Sequence, residues 1–292
     1  MPPCPPYCHF YPLATLSPRP YTVLRPDCWT CDRKLTEDSS SDIPPWVRAR
    51  AEAQARHPLV RRPALRSRFV RFASAKAPDN ALDVGCGAGY SSFALARKVR
   101  QVTAVDWRPE LLATARKEGT KRRLTNITFV EASAEELPLP AASFDVVASA
   151  AAVHHLAHPA AAFREMARVC RPYGTVVIED VVASEQDIRA RYHNRIERLR
   201  DRSHERLLKL SELLAMLGQA GLLARRIEIV ESIREFNEWV GVTRPPLGRS
   251  ERIRHLLQGS MEQDLLGLDV QGEDDTFVFV QRVAWVRCSN PR

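Results

Sequence analysis

The 292 residues, 45% of them apolar and 27% charged, suffice for one large α/β domain with additions or for two small domains. No apolar run approaches the length of a membrane span, and the first thirty or so residues lack a basic stretch leading into an apolar one, so neither a spanning helix nor a secretory signal is expected. The formal charge of +8 is concentrated: eight arginines lie between Arg48 and Arg71 against one acid, Glu52, which reads as one solvated basic element rather than a nucleic-acid surface.

Residues 1–45 differ in kind from the rest. Ten prolines remove donors and block helix growth there, so a Pro-rich, disordered leader is expected. Cys4, Cys8, Cys28 and Cys31 have spacings that suit tetrahedral zinc, but the proline density leaves little strand to build a zinc ribbon, and no metal is expected. Cys86, Cys170 and Cys288 fall in apolar settings and read as free thiols in a reducing, cytoplasmic environment.

From Trp46 the pattern turns helical, and 46–78 is expected to form an N-terminal helical lid, with Leu65, Phe69, Phe72 and Ala73 inward and Arg66, Arg68 and Arg71 mostly outward. Strands are then expected at 81–85, 101–106, 127–133, 144–150 and 175–182, separated by helices at 91–99, from Pro109, and through Phe163, Met166 and Val169. Such alternation implies a parallel sheet covered on both sides. A charged helix is expected over 185–209, followed by a helix capped by Ser211 and ending at Gly221. Two last strands are expected at 224–232 and 276–288, with a partly helical insertion, 233–275, between them. Residues 46–292 thus read as one domain, in which 183–210 and 233–275 are additions.

The chemistry concentrates in "LDVGCGAGY". A phosphate loop needs a lysine directly after its last glycine, and none follows before Lys98; a dinucleotide fingerprint needs glycine where Tyr90 stands. What remains is Asp83, Gly85, Gly87 and Gly89 at one strand tip, with Asp106 ending the next strand. An acid repels pyrophosphate but suits an amino group or a sulfonium, and a carboxylate in the position of Asp106 can take ribose hydroxyls. Together these describe a pocket for S-adenosylmethionine.

The stretches "LDVGCGAGYSSFALA", "VTAVDWRPELLATAR" and "EELPLPAASFDVVASAAAVHHLAHPAAAFREMARVCRPYGTVVIED" resemble the class I S-adenosylmethionine-dependent methyltransferases of the type-11 group, similar to the ubiquinone/menaquinone C-methyltransferases. The resemblance covers about 46–288. It implies a Rossmann-like α/β fold with seven strands, mostly parallel, the last antiparallel. It also implies that Asp83, Gly85, Cys86 and Gly87 line the methionine end, that Asp106 takes the ribose, and that Trp107 lies on the adenine, with Ser133, Ala134 and Ala150 completing the lining. Where Ser133 stands the family usually has aspartate, so one charge-assisted bond is expected to weaken.

Methyl transfer calls for alignment in a dry site, and for a base only when the nucleophile arrives protonated. His154 and His155, after the fourth strand, are the candidate bases. Arg198 and His204, from a cluster that also holds Tyr192, His193, Asp201 and Ser203, are candidate acceptor contacts; Asn237 and Trp239 are candidates to close the pocket. "SAAAVHH" offers neither amide clamp nor stacking ring for a nucleobase, so the expected partner is a small apolar or aromatic acceptor, with no nucleic acid. The competing readings are a cofactor-binding protein without activity and a nicotinamide-dependent oxidoreductase, the latter disfavoured by Asp83 and Tyr90.

Overall fold

The computed structural model describes residues 62–273 and 276–291. The leader, its four cysteines and the lid as far as Arg61 lie outside the described residues.

Helix α1 (Pro63–Phe72) starts on a proline, whose missing N–H is not needed in a first turn, and buries Phe69, Val70 and Phe72. Strands β1 (Asn80–Val84), β2 (Gln101–Asp106), β3 (Ile127–Glu131) and β4 (Phe144–Ala150) follow, with α2 (Tyr90–Ala96) and α3 (Pro109–Lys121) as the first crossovers. Helix α4 (Pro159–Val169) leads into β5 (Cys170–Val181), which takes in the Arg-Pro-Tyr-Gly segment and so begins five residues before the expected start at 175. Then come α5 (Asp187–Arg200), α6 (Leu210–Gln219), β6 (Leu223–Glu235), α7 (Phe236–Thr243), α8 (Leu247–Gln258), β7 (Gln271–Glu273) and β8 (Thr276–Ser289). None of the described helices is long and apolar enough to cross a membrane.

The sheet runs β3-β2-β1-β4-β5-β8-β6, with the short β7 paired to β8. The first five strands are parallel, and β8 is antiparallel to both of its neighbours. The expected seven-stranded arrangement with an antiparallel last strand is present; the three residues of β7 make an eighth strand. Period-two alternation divides the core between the two sides of the sheet. On one side Leu82, Val84, Val147, Ile178 and Val286 pack against Phe163 and Met166 of α4 and Leu213 and Leu217 of α6. On the other, Ala81, Val102, Ala148 and Val177 meet Leu95 of α2 and Phe69 and Phe72 of α1. A separate cluster of Phe236, Trp239, Ile253, Leu257, Phe277 and Phe279 holds the 233–275 insertion against β8.

Three local expectations are corrected. The charged helix spans 187–200 only, because Asp201 turns extended and Asn194 ties down the following loop, accepting the Leu207 N–H at 2.7 Å and donating to the Ala190 carbonyl. Ser211 lies inside the first turn of α6 rather than capping it. The Glu212 carboxylate reaches back to the Lys209 N–H at 2.9 Å, while Glu185 from outside accepts from the N–H and hydroxyl of Ser211. The third concerns Arg66, expected outward: its guanidinium turns in to Glu179, at 2.9 Å, with both side chains nearly buried.

Trp285 of β8 is fully buried and takes the edges of Phe69 and Phe72 at ring-centroid distances of 5.9 and 5.5 Å, with Arg68 over its face at 4.9 Å. It is the joint between α1 and the far half of the sheet. Truncation, Trp285→Ala, is expected to cost about 3–5 kcal/mol, read as a fall in the denaturant midpoint. A loss under about 1 kcal/mol would show that α1 does not depend on this contact.

Candidate active site

The order in which strands are added to the sheet reverses between β1 and β4: β1 is followed outward by β2 and β3 on one side, while β4 and β5 lie parallel to them on the other. Crossovers diverge at such a point and leave a crevice beyond the carboxyl ends of the strands. A cavity of about 300 Å³ occupies it, lined from the β1–α2 turn by Gly85, Cys86 and Gly87, and from the tip of β2 by Asp106 and Trp107. That is the lower end of the range for small-molecule sites.

The glycines are required for two distinct reasons. Gly85 has φ 71°, and a Cβ there would stand 2.5 Å from the Ala152 Cβ, so nothing larger fits between the tips of β1 and β4. Gly87, with φ 54°, donates its N–H to Asp106 Oδ2 at 2.8 Å. The other oxygen of Asp106 accepts the Arg108 N–H at 3.0 Å. Each oxygen keeps one lone pair, which suits adjacent hydroxyl donors. Burial raises the Asp106 pKa, offset in part by these two N–H groups.

Asp83 is 1% exposed and stands behind the cavity surface rather than on it. One of its oxygens accepts the Ser92 hydroxyl at 2.6 Å; the other, Oδ1, is buried with no partner. Burial pushes its pKa up to about 6 against the pull of that hydroxyl. A buried acidic oxygen without a donor is costly, and a nearby cation relieves the cost.

Trp107 lines the cavity with 57% of its surface open, free to stack. Ala132, Ala134 and Ala150 also line it, but Ser133 does not: its hydroxyl accepts the Glu135 N–H at 3.1 Å in a local turn. Ala151, in the same wall, holds φ 53°, an unfavourable conformation for alanine at the end of β4, and donates its N–H to the Glu179 carbonyl at 2.7 Å.

His154 and His155 follow on a single 3₁₀ turn, Val153–His155, and both line the cavity. His154 Nδ1 lies 2.6 Å from Asp180 Oδ1, and its backbone N–H donates to Asp180 Oδ2 at 3.0 Å. Burial alone would lower the pKa of His154; the Asp180 carboxylate outweighs it and holds the ring above its ordinary value. The same pairing keeps the Asp180 carboxyl low in spite of burial. An ionised carboxylate only accepts, so Nδ1 carries the proton and Nε2 is the free basic nitrogen. His155 differs. Its Nδ1 donates to the Ser203 carbonyl at 2.9 Å, and burial, with repulsion from His154, depresses its pKa to about 4.

The wall away from the glycines comes from α1, the end of β5, α5 and the loop after it, β6, α7 and β8. It combines apolar Val181, Leu207, Trp239 and Val242 with polar Arg66, Glu197, Arg200, Arg234 and Gln281. Glu197 is 3% exposed; it accepts Arg200 Nε at 2.9 Å and Gln281 Nε2 at 2.6 Å, and Arg200 lies over the Trp239 ring at 4.5 Å. Of the acceptor candidates, Arg198 does not reach the cavity: it is exposed and donates to the Glu205 carbonyl. His204 is buried behind the wall, its Nε2 3.1 Å from Asn194 Oδ1 and its Nδ1 without a partner. Asp201 and Ser203 from the same cluster do line the cavity, as does Trp239, whereas Asn237 does not. Arg66, Glu197, Arg200, Arg234 and Gln281 escaped the sequence reading. The arginines sit within charge-rich stretches that look solvated, and only the fold distinguishes Glu197 and Gln281 from surface residues.

A family model described as "Methyltransferase domain" matches residues 82–178. The uncharacterized methyltransferase YcgJ of Bacillus subtilis is 31% identical over 195 residues, which cover 66% of this chain and 77% of that protein. Its crystal structure superposes with a TM-score of 0.74 at 25% identity, covering 78% of this chain and 98% of that one. A putative methyltransferase from Bacillus halodurans also superposes at 0.74, with 24% identity, 78% of this chain and all of that chain. A probable S-adenosylmethionine-dependent methyltransferase of Mycobacterium tuberculosis is 36% identical over 110 residues, 38% of each chain. With glycine backbone, a ribose-suited carboxylate and an unpartnered buried acid at the switch point of this sheet, the chain belongs to the S-adenosylmethionine-dependent methyltransferases.

Proposed function

We propose that the protein methylates a small molecule with a largely apolar or aromatic body, held in the same cavity as the cofactor, and that His154 is its general base. The observation that supports this reading is the continuity of one cavity, from Gly85, Gly87, Asp106 and Trp107 to an apolar wall of Val181, Leu207, Trp239 and Val242, with His154 on its surface. Nothing in the wall resembles a clamp for a nucleobase, and the acceptor is a small molecule rather than a nucleic acid.

When bound, S-adenosylmethionine supplies a methyl group activated by a sulfonium. Gly85 and Gly87 let the ligand approach bare backbone, Asp106 holds the ribose, Trp107 covers the adenine, and Ala134 and Ala150 complete the wall. Cys86, a buried thiol whose pKa burial raises well above the ordinary value, stays neutral and contributes packing. Asp83 offers its unpartnered Oδ1 to the positive end of the ligand, acting from behind the surface through its field. His154 Nε2 takes the proton of an acceptor hydroxyl or amine, and Asp180 fixes the tautomer and steadies the resulting imidazolium. His155, held neutral and tied to Ser203, positions the turn.

Two outcomes check this. Below about pH 6 the Asp83 carboxyl is protonated in the free protein and loses its attraction for an ammonium. The affinity for S-adenosylhomocysteine is therefore expected to fall on acidification by up to about tenfold per pH unit. Calorimetry across this range should show the step in the wild type and lose it in Asp83→Asn; a step unchanged in the variant would remove Asp83 from the site.

For the base, only neutral His154 accepts a proton, and its pKa is raised. With an acceptor found by labelled-methyl screening, kcat is expected to climb with pH on the alkaline side of ordinary histidine titration. Asp180→Asn should move that limb to lower pH. His154→Ala should lose about a hundredfold or more in kcat and His155→Ala less than about tenfold. Equal losses, or a pH profile that Asp180→Asn leaves in place, would contradict the assignment.

A further inference from the structure

The wall away from the glycines, where α1, β5, α5, β6 and β8 meet, carries more positive than negative charge. Around it the guanidiniums of Arg62, Arg66, Arg200 and Arg234 stand against three carboxylates, Glu179, Glu197 and Asp201. Each carboxylate is already engaged: Glu179 with Arg66 at 2.9 Å, Glu197 with Arg200 at 2.9 Å, and Asp201 with the Ser203 hydroxyl at 2.7 Å. Arg62 donates to the Ser232 hydroxyl at 3.3 Å. Arg234 likewise has only a neutral partner, but unlike Arg62 it lines the cavity. Its Nε donates to Gln281 Oε1 at 2.9 Å, and Gln281 in turn donates to Glu197, so the stem of the guanidinium is fixed in direction. No carboxylate among the described residues lies within ion-pair distance of Arg234, and its two terminal nitrogens have no protein partner there. Yet Arg234 lines the cavity.

Burial and repulsion from Arg62 and Arg200 depress the pKa of Arg234 to about 10, a large shift for a guanidinium. A protein gains nothing in stability by holding a cation in that state. The fixed fork left open is the geometry with which arginine takes the two oxygens of a carboxylate or phosphate. The same cavity is lined by apolar Trp239 and Val242 of α7 and Leu207 after α5.

We infer that Arg234 receives an anionic group of the acceptor, a carboxylate or a phosphate, while the apolar remainder of that molecule lies along Trp239, Val242 and Leu207. This rests on the acceptor reading above and narrows it to an amphiphilic acid. Gln281 is then a positioning residue: it sits across from Ser232 in the β6–β8 register, two residues from Arg234 along β6, and sets the direction of the fork.

The test uses full-length protein saturated with S-adenosylhomocysteine and titrated with octanoate, octyl phosphate and octanamide. The first two carry the anion and the third is neutral. At least one anion is expected to bind about tenfold or more tightly than the amide, and whichever of the two does so identifies the headgroup. Arg234→Met is expected to abolish that preference; Arg234→Gln, a smaller change in polarity, takes its place if the methionine variant does not fold. Gln281→Leu should reduce the preference without abolishing it. No preference in the wild type, or one that survives loss of Arg234, would overturn the inference. Affinity for S-adenosylhomocysteine itself, measured first in each protein, separates the two claims. If the wild type does not bind it, the cofactor reading fails; if it binds and the anions gain nothing over the amide, only the acceptor inference fails.

Discussion

The hydrogen bond from the Gly87 N–H to Asp106 Oδ2, at 2.8 Å, ties the turn after β1 to the tip of β2 and sets the shape of the crevice between them. It is possible only because two parallel strands end side by side, with Val84 paired to Val105, and because residue 87 adopts a positive φ. The backbone of the turn thereby stays open toward the cavity, while the acid beneath it keeps a lone pair on each oxygen. The Gly85 and Cys86 N–H groups are occupied as well, donating to the Val105 carbonyl at 2.8 and 2.9 Å. The turn is thus laced to β2 at three successive residues, which makes it a preformed surface rather than a flexible loop. Preorganisation of this kind limits the ordering cost of binding.

From that fixed edge the cavity extends across the sheet and changes character. At the glycine end the unbalanced charges are negative, Asp83 and Asp106, both kept from water by the strands around them. At the far end they are positive, with Arg234 uncompensated by any described carboxylate at ion-pair distance. A charge moved from water into a protein interior is expensive unless a partner meets it. Both ends therefore favour ligand groups of opposite sign to their own. Between these, His154 is the titratable group on the cavity surface whose tautomer is fixed by a carboxylate, through Asp180.

Much of this was legible in the chain. Alternating apolar runs and amphipathic stretches specify a parallel sheet, because a strand buried on both faces needs continuous apolar residues while its covering helices need only a stripe. The glycine spacing and Asp106 were readable for the same reason: a turn that requires positive φ and a carboxylate at a strand tip are local requirements, written in adjacent residues. What was not readable depends on which way long side chains turn once the sheet has formed. Arg66 looked outward in the helical pattern of α1 but reaches Glu179, which is separated from it by 113 residues. Arg234 and Gln281 lie on different strands and meet only through the antiparallel pairing of β6 with β8. Arg198 and His204, prominent in a polar cluster, turn instead to a loop carbonyl and to Asn194. The early end of α5 has a similar origin, since the side chain of Asn194 replaces the backbone partners that a longer helix would have used.

Assignment of the cofactor berth to the crevice at the tips of β1, β2 and β4 is open to a direct test. A crystal structure of the complex with S-adenosylhomocysteine tests it most directly. Ribose hydroxyls are expected on the Asp106 carboxylate, the amino acid end against Gly85 and Gly87 with its ammonium on the side of Asp83, and the adenine under Trp107. A ligand bound elsewhere, or a crevice into which the compound does not enter at saturating concentration, would contradict it.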